Sequence, residues 1–363
     1  VNYWTGQECR EFEKEFAAFA GTEYAVALAN GTLALDVALK AMDIGAGDDV
    51  IVTSRTFLAS ASAIVTAGAN PVFADVDLNS QNISADTIQA ALTPTTKAII
   101  VVHLAGMPAE MDAIMALAEK HKLWVIEDCA QAHGARYKGR PVGSIGHVGA
   151  WSFCQDKIMT TGGEGGMVTT NDKALWLKMW AYKDHGKSYD AVYHREHAPG
   201  FRWLHESFGT NWRMMEMQAV IGRIQLKRMP DWTAKRQANA AKLAQSLSKS
   251  ACIRLVEVPD YIEHAQYKFY AFVNPGCLKA GGTRVRIVDE LNALKVPCYQ
   301  GSCSEVYLEK AFDNTPWRPQ QRLKNAVELG DTSLMFLVHP TLTEAEIAFC
   351  RQHIEAVLTQ ACI

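Results

Sequence analysis

The chain has 363 residues, 48% of them hydrophobic and 21% charged, with a formal net charge of -3. This composition describes a globular protein long enough for one large domain and a smaller one, and it excludes disordered and fibrous classes. The near-neutral charge gives no electrostatic case for binding nucleic acid or an anionic membrane, so small molecules and a second copy of the chain are the expected partners.

Nine cysteines form no C-x-x-C pair, and an odd count fits reduced thiols better than a disulfide framework or a cysteine metal site. No apolar run approaches the roughly 18 residues needed to cross a bilayer, and no secretory leader is recognisable. A cytoplasmic location is expected.

From about residue 24 to 170, short apolar runs alternate with helical patterns, the signature of parallel strands joined by crossover helices. A helix is predicted over 32–41, where Leu33, Val37 and Ala41 recur at helical spacing and Leu35 and Leu39 widen the buried face. Strands are predicted over 49–54, 71–75, 97–103 and 123–127, with a second helix over 111–120. The last three strands are continuous apolar stretches, as fits a sheet covered on both faces. The glycine run 162–166 precedes a predicted strand, 167–170, and lacks the strand, G-x-G-x-x-G and helix context of a dinucleotide loop. Residues 186–210, punctuated by Gly186, Pro199 and Gly200 and rich in aromatic and basic side chains, read as a long functional loop. The pattern is helical from Arg213 to about Ser248, interrupted at Pro230. Strands near 267–273 and 333–338 follow. A large α/β domain over 1–245 and a small α+β domain over 246–363 are expected.

Two residues stand out for chemistry. Asp128 closes the apolar run Leu123-Trp-Val-Ile-Glu-Asp128, and Lys157 follows in Trp151-Ser-Phe-Cys-Gln-Asp-Lys157. An amine able to form a Schiff base and an acid able to hold a protonated pyridine nitrogen are the minimum protein equipment for pyridoxal-phosphate chemistry. Each has a plainer reading: a solvated surface lysine, and an Asp that caps a helix. Ligands in open α/β sheets sit beyond the carboxyl ends of strands, where Asp128 can point at a ring and favour its charged form. Gln131 comes within reach of that ring if a helix starts here, and is otherwise an ordinary polar helix residue. Asn30-Gly31-Thr32 precedes a predicted helix, whose N-terminus favours an anion such as phosphate; Gly31 allows close approach and Asn30 reads as an N-cap. His103, His133 and His185 lack metal-ligand spacing and read as packed or surface residues. No metal is expected.

The ordered segments Glu127-Asp-Cys-Ala-Gln131-Ala-His-Gly134, Ser152-Phe-Cys-Gln-Asp-Lys157 and Thr160-Thr-Gly-Gly-Glu-Gly-Gly166 resemble the DegT family of pyridoxal-phosphate-dependent nucleotide-sugar aminotransferases. The resemblance runs from Tyr3-Trp-Thr-Gly6 through Asn30-Gly-Thr32 and Thr56-Phe57 to Gly209-Thr-Asn211-Trp-Arg-Met-Met-Glu-Met-Gln-Ala219 and Pro340-Thr-Leu-Thr-Glu344. Members usually carry a further segment before the first motif, so a clipped and a genuinely short N-terminus both stay open.

The resemblance implies an aspartate-aminotransferase-like α/β fold (fold type I) with a mostly parallel central sheet, and pyridoxal 5'-phosphate as cofactor. It implies that Lys157 carries the cofactor and shuttles a proton, and that related sugar dehydratases have His at this position. It implies Asp128 on the ring nitrogen, Gln131 on the ring hydroxyl, Gly31, Thr32 and Ser152 on the phosphate, and Phe57 stacked on the ring. Asn211 would reach the phosphate of a neighbouring subunit, making a homodimer with shared active sites. Plainer alternatives stay open: a buried Ser152 bonded to backbone, a core Phe57, and Asn211 as a helix N-cap. The implied reaction moves an amino group, from glutamate, onto a keto group of a nucleotide-diphosphate-linked deoxy sugar of lipopolysaccharide or O-antigen type. The loop over 187–205 is the candidate for gripping that sugar nucleotide, with an ordinary solvated loop as its alternative. One departure is Cys298-Tyr299-Gln-Gly-Ser-Cys303, where members often show a His-Tyr pair followed by Pro and His. The rival functions are a pyridoxal-phosphate sugar dehydratase or lyase, and a non-catalytic regulatory relative.

Overall fold

In the computed structural model, which describes residues 6–363, the apolar runs become a seven-stranded sheet. Tyr3, Trp4 and Thr5 of the first motif lie outside the described residues. The first helix, α1 (Glu8–Ala20), leads into β1 (Tyr24–Leu28) and α2 (Gly31–Ala41). Then come β2 (Asp49–Thr53), α3 (Ala59–Thr66), β3 (Asn70–Ala74), α4 (Ala85–Ala91), β4 (Thr96–Val102), α5 (Met111–His121) and β5 (Trp124–Asp128). A small hairpin, β6 (Arg136–Tyr137) and β7 (Arg140–Pro141), precedes β8 (Val148–Ser152), β9 (Gly166–Thr170) and α6 (Lys173–Lys183).

The sheet order is β1-β9-β8-β5-β4-β2-β3, and only β9 runs against the others. Successive residues of a strand project to opposite faces. Val50 and Val52 therefore join one core with α2 and α3, while Ile51 joins the core beneath α4 and α5. Val26 and Leu28 of β1 face the first core, and Ala25 and Ala27 face α1. Burial on both faces is what the continuous apolar runs require.

The predicted strands and helices of this half are present, shifted at their ends by about a residue. Three local readings change. No helix follows Asp128; the chain turns there instead. The loop over 186–210 contains a one-turn helix, α7 (Tyr189–Tyr193), and a bridge from Lys187 to His205. The helical stretch is two helices, α8 (Glu216–Leu226) and α9 (Met229–Leu247), with Pro230 in the first turn of α9, where its missing N–H costs nothing.

A second sheet lies in the C-terminal part, built of β10 (Ile253–Leu255), β12 (Phe269–Val273), β14 (Ser333–Phe336) and β13 (Cys298–Tyr299), all antiparallel. It packs with α10 (Arg284–Ala293), α12 (Glu344–Ala361) and the last turns of α9 around Leu243, Leu291 and Ile354. The short β11 (Ile262–Glu263) crosses back to pair with β6, and α11 (Lys324–Thr332) leads into β14. Cys252 and Cys362 bring their sulfurs into contact, with Cα atoms 6.1 Å apart. The other seven cysteines are free, so no disulfide framework is present among the described residues; 110 residues separate Cys252 from Cys362, so spacing could not reveal their contact.

Candidate active site

The residues singled out in the sequence gather beyond the carboxyl ends of the parallel strands. Gly31 and Thr32 follow β1, Phe57 follows β2, Asp128 ends β5 with Gln131 just after it, and Ser152 ends β8 ahead of Lys157. Strand direction makes this common edge, the usual ligand crevice of an open α/β sheet.

Asp128 is 8% exposed and has no cationic hydrogen-bond partner among the described residues. Its Oδ2 accepts from Ser60 Oγ at 2.8 Å and its Oδ1 from the Ala130 N–H at 3.1 Å. Thr56 Oγ1 lies 2.9 Å from Ser60 Oγ, so a hydroxyl chain ties the carboxylate to the segment that presents Phe57. Burial holds the Asp128 carboxyl above its ordinary pKa, against the pull of Ser60, Ala130 and the charge of Lys157. Nearby cationic charge relieves that penalty. The capping alternative fails, because no helix follows. Gln131 spends its Oε1 on the Ala105 N–H at 2.7 Å, which fixes the orientation of the amide and leaves its NH2 end unused by that bond.

Lys157 sits on a loop folded back against the start of β9. Phe153 N donates to Gly165 O at 2.8 Å and Gln155 N to Gly163 O at 2.9 Å, holding the glycine run against the lysine segment. The lysine Nζ lies 3.2 Å from Asp156 Oδ2 and 5.6 Å from the centroid of the Tyr267 ring. The Tyr267 hydroxyl donates to the same Asp156 oxygen at 2.6 Å. Burial raises the Asp156 pKa, but Tyr267 and Lys157 together leave it below its ordinary value.

Asn30 caps α2, its side chain accepting from the Leu33 N–H at 3.0 Å. The first amides of a helix have no intrahelical acceptor, so those of Gly31 and Thr32 are available to an anion. A Cβ on Gly31 would meet Ser152 Cβ at 2.5 Å, so only glycine lets the helix start this close to β8. Ser152 Oγ also accepts from the Cys154 N–H at 3.3 Å, a weak contact that leaves donor capacity. Phe57 is 70% exposed, which removes the core reading.

Asn211 is exposed and bridges to Asp184, and it is not an N-cap, since α8 starts at Glu216 behind Met215. Its neighbour Trp212 accepts from the Ala29 N–H at 2.9 Å, which sets this stretch beside the turn into α2. The loop over 187–205 lines a different cleft from Lys157: Lys187, Tyr193 and Arg202 face Arg10 and Glu13 of α1. Within one chain, then, the loop and the lysine do not meet. Tyr299 is half exposed at the edge of the small sheet.

His133 is buried among Phe16, Trp151 and Phe153, and burial lowers its pKa to about 3. His185 is exposed. His103, Glu127 and Cys129 do cluster, which spacing did not suggest. Glu127 already accepts from His103 Nε2 and from the N–H groups of Gly143, Ile145 and Gly146, so the cluster reads as a saturated buried network beneath Asp128. Sequence reasoning missed Ser60, Asp156 and Tyr267. Asp156 alone carried a signal, its position next to Lys157.

A helix N-terminus without room for a Cβ, a buried carboxylate lacking a cation, and an amine at the same edge match the phosphate, ring nitrogen and aldehyde of pyridoxal phosphate. The family model for DegT/DnrJ/EryC1/StrS aminotransferases matches residues 2–354. The chain belongs to that family. A solved aminotransferase from Psychrobacter cryohalolentis is 65% identical, with a TM-score of 0.97 over 99% of this chain and 93% of that one. GDP-perosamine synthase of Caulobacter vibrioides is 37% identical over 93% of this chain and 86% of its own. UDP-N-acetyl-3-dehydro-alpha-D-glucosamine 3-aminotransferase of Acidithiobacillus ferrooxidans is 42% identical over 76% of this chain and 71% of its own.

The protein is therefore an aminotransferase with the fold type I architecture, and its cofactor is pyridoxal 5'-phosphate. When bound, that cofactor supplies an electron sink for the carbon that loses its proton. Among the described residues no helix is long and apolar enough to cross a membrane.

Proposed function

We propose that this aminotransferase takes the amino group of L-glutamate and transfers it to a keto carbon of a nucleotide-diphosphate-linked deoxy sugar destined for a surface polysaccharide of the lipopolysaccharide or O-antigen type. The observation that carries the reading is the juxtaposition at one sheet edge of an amine, Lys157, and a buried carboxylate without a cation, Asp128. Two relatives named for amino sugars on GDP and UDP support the substrate class.

In this reading Lys157 Nζ would hold the cofactor through its aldehyde and would serve as the base that moves the proton at the reacting carbon. Asp128 would hold the ring nitrogen protonated, because an opposite charge nearby favours the charged pyridine. Gln131 is placed to direct its NH2 group at the ring hydroxyl. Gly31 and Thr32 offer amides, and Ser152 a hydroxyl, to the phosphate. Phe57, free of the core, would cover the ring.

A homodimer is part of the proposal. Met217, Val220, Ile221 and Ile224 stand exposed at helical spacing on α8, an apolar stripe unusual for a monomer's surface. A partner covering it would bring its own Asn211 and loop over 187–205 towards this crevice. The division into cofactor and small domains near residue 246 is likewise proposed, supported by the two separate sheets. A cytoplasmic location is proposed from the substrate class.

The test is incubation of the purified holoenzyme with L-glutamate and a panel of keto-sugar nucleotides. An aminotransferase releases 2-oxoglutarate and yields an amino sugar. A lyase or dehydratase consumes the sugar without 2-oxoglutarate, and a regulatory relative does neither; either outcome sinks the reading.

A further inference from the structure

Lys157 borders a cleft of about 340 Å3 whose other walls come from distant parts of the chain: Arg236 of α9, Tyr267 and Lys268 ahead of β12, and His339 after β14. Three cationic side chains line it, Lys157, Arg236 and Lys268, against a single carboxylate, Asp156, which Tyr267 and Lys157 already engage. Arg236 is only 5% exposed. Its Nη1 reaches just the carbonyls of Gln266 and Tyr267, at 3.4 and 3.3 Å, and its Nε has no hydrogen-bond partner. Lys268 lies 4.8 Å from the centroid of the same Tyr267 ring that Lys157 approaches at 5.6 Å. Neither Arg236 nor Lys268 forms an ion pair among the described residues. Burial depresses both cations from their ordinary pKa values, Arg236 to about 10.

A buried guanidinium without a counter-ion is costly, and an anionic ligand offsets that cost. We infer that this cleft is the carboxylate site of the amino donor, with Arg236 and Lys268 as the residues that bind it. The inference rests on the aminotransferase reading above. In an amino acid the carboxylate sits on the same carbon as the amine, so the group that meets it must stand within a side chain's reach of Lys157. In a sugar nucleotide the diphosphate is separated from the keto carbon by the sugar ring, which takes its charge further away. The planar guanidinium fork also matches a carboxylate. Lys268 adds a second charge beside the Tyr267 ring that Lys157 also approaches.

The test uses the holoenzyme and the glutamate half-reaction alone, followed by the cofactor's absorbance change, which needs no sugar acceptor. Lys268→Gln and Arg236→Lys should each raise the L-glutamate concentration for half-saturation by about tenfold or more, the loss of one charge-assisted hydrogen bond. The limiting rate should change far less. Lys268 is half-exposed, so its variant keeps the test open if the Arg236 variant fails to fold. In the second arm, the amine-loaded enzyme is titrated with keto-sugar nucleotide, and its saturation should not move. A weaker sugar nucleotide with unchanged glutamate would assign the cleft to the diphosphate and overturn the inference, as would no change in either arm. A wild-type enzyme that reacts with glutamate but with no keto sugar defeats the sugar reading and leaves this inference standing. One that reacts with no amino acid defeats both.

Discussion

Tyr267 donates its hydroxyl to Asp156 at 2.6 Å, a contact that spans 111 residues of sequence and ties the segment ahead of β12 to the loop bearing Lys157. The lysine Nζ touches the same carboxylate oxygen. Asp156 is thereby a positioning residue for the amine. Tyr267→Phe should lower kcat more than it raises KM for glutamate, and Asp156→Asn should move the pH profile of the half-reaction. Because the folded-state pKa of Asp156 is depressed, its contribution to stability is present above the ordinary carboxylate pKa and is lost as pH falls through the lower folded value. The melting-temperature difference between wild type and Tyr267→Phe should accordingly shrink in acid; a difference that persists unchanged after Asp156 is protonated would remove the carboxylate from the account.

Asp128 has the opposite sign. Its folded-state pKa is raised, chiefly by burial, so the cofactor-free protein loses stability as pH rises from the ordinary aspartate value through the folded one. Asp128→Asn should melt at or above the wild-type temperature at neutral pH without cofactor. With cofactor it should lose activity by about 10²-fold or more, for want of the charge that holds the ring nitrogen protonated. Paired thermal melts with and without pyridoxal phosphate read both effects. An apo variant markedly less stable than wild type would show the carboxylate to be structural.

Replacement of Lys157 by Ala should abolish transamination, by about 10⁴-fold or more, while the fold persists, since the lysine's side-chain hydrogen bond is to Asp156, its neighbour in sequence, and its ring contact is with Tyr267. Borohydride reduction of the wild-type holoenzyme followed by peptide mapping should find the label at position 157. A label elsewhere refutes the assignment.

Gly31→Ala should fail at the junction of α2 and β8. The added Cβ would lie 2.5 Å from Ser152 Cβ and 2.9 Å from its Cα, and backbone cannot yield as a flexible side chain does. A cost of about 1–3 kcal/mol is expected from the overpacking. Weaker cofactor affinity should accompany it, read by fluorescence titration. Unchanged affinity would dissociate this helix start from the phosphate.

Glu127→Gln should cost roughly 3 kcal/mol in denaturant unfolding, because an amide cannot accept from three backbone N–H groups and His103 with both its ends. Burial raises the Glu127 pKa, but His103 and the backbone donors outweigh it and leave the value low. The stability it confers is therefore present at neutral pH and lost as pH falls through that low value. Equal stability of the variant at pH 7 would mean that the network is redundant.

Asp128 and the helix start at Gly31 were legible because each lies at the end of a strand signal, within a few residues of the apolar run that gives it; Lys157, on the loop between β8 and β9, was legible through the ordered motifs around it. Phe57 was legible only as one of two alternatives; its exposure, a tertiary property, removes the core alternative. The helix on which the Gln131 reading was conditional does not form, because the chain there turns to give the Asp128 and Gln131 side chains to Ala130 and Ala105. The N-cap reading of Asn211 fails because Trp212 pairs with Ala29, which keeps that stretch extended up to Met215.

Local pattern by itself determined the mostly parallel sheet and its crossover helices, since hydrophobic periodicity and cap chemistry act over one or two turns of chain; the amine and the acid at its edge were singled out by the ordered motifs around them that carry the family resemblance. Tertiary structure alone decided which groups face Lys157. Tyr267 and Lys268 come from the segment ahead of β12 and Arg236 from α9, and no sequence spacing encodes a contact that exists only because packed sheets and helices bring distant side chains to one place.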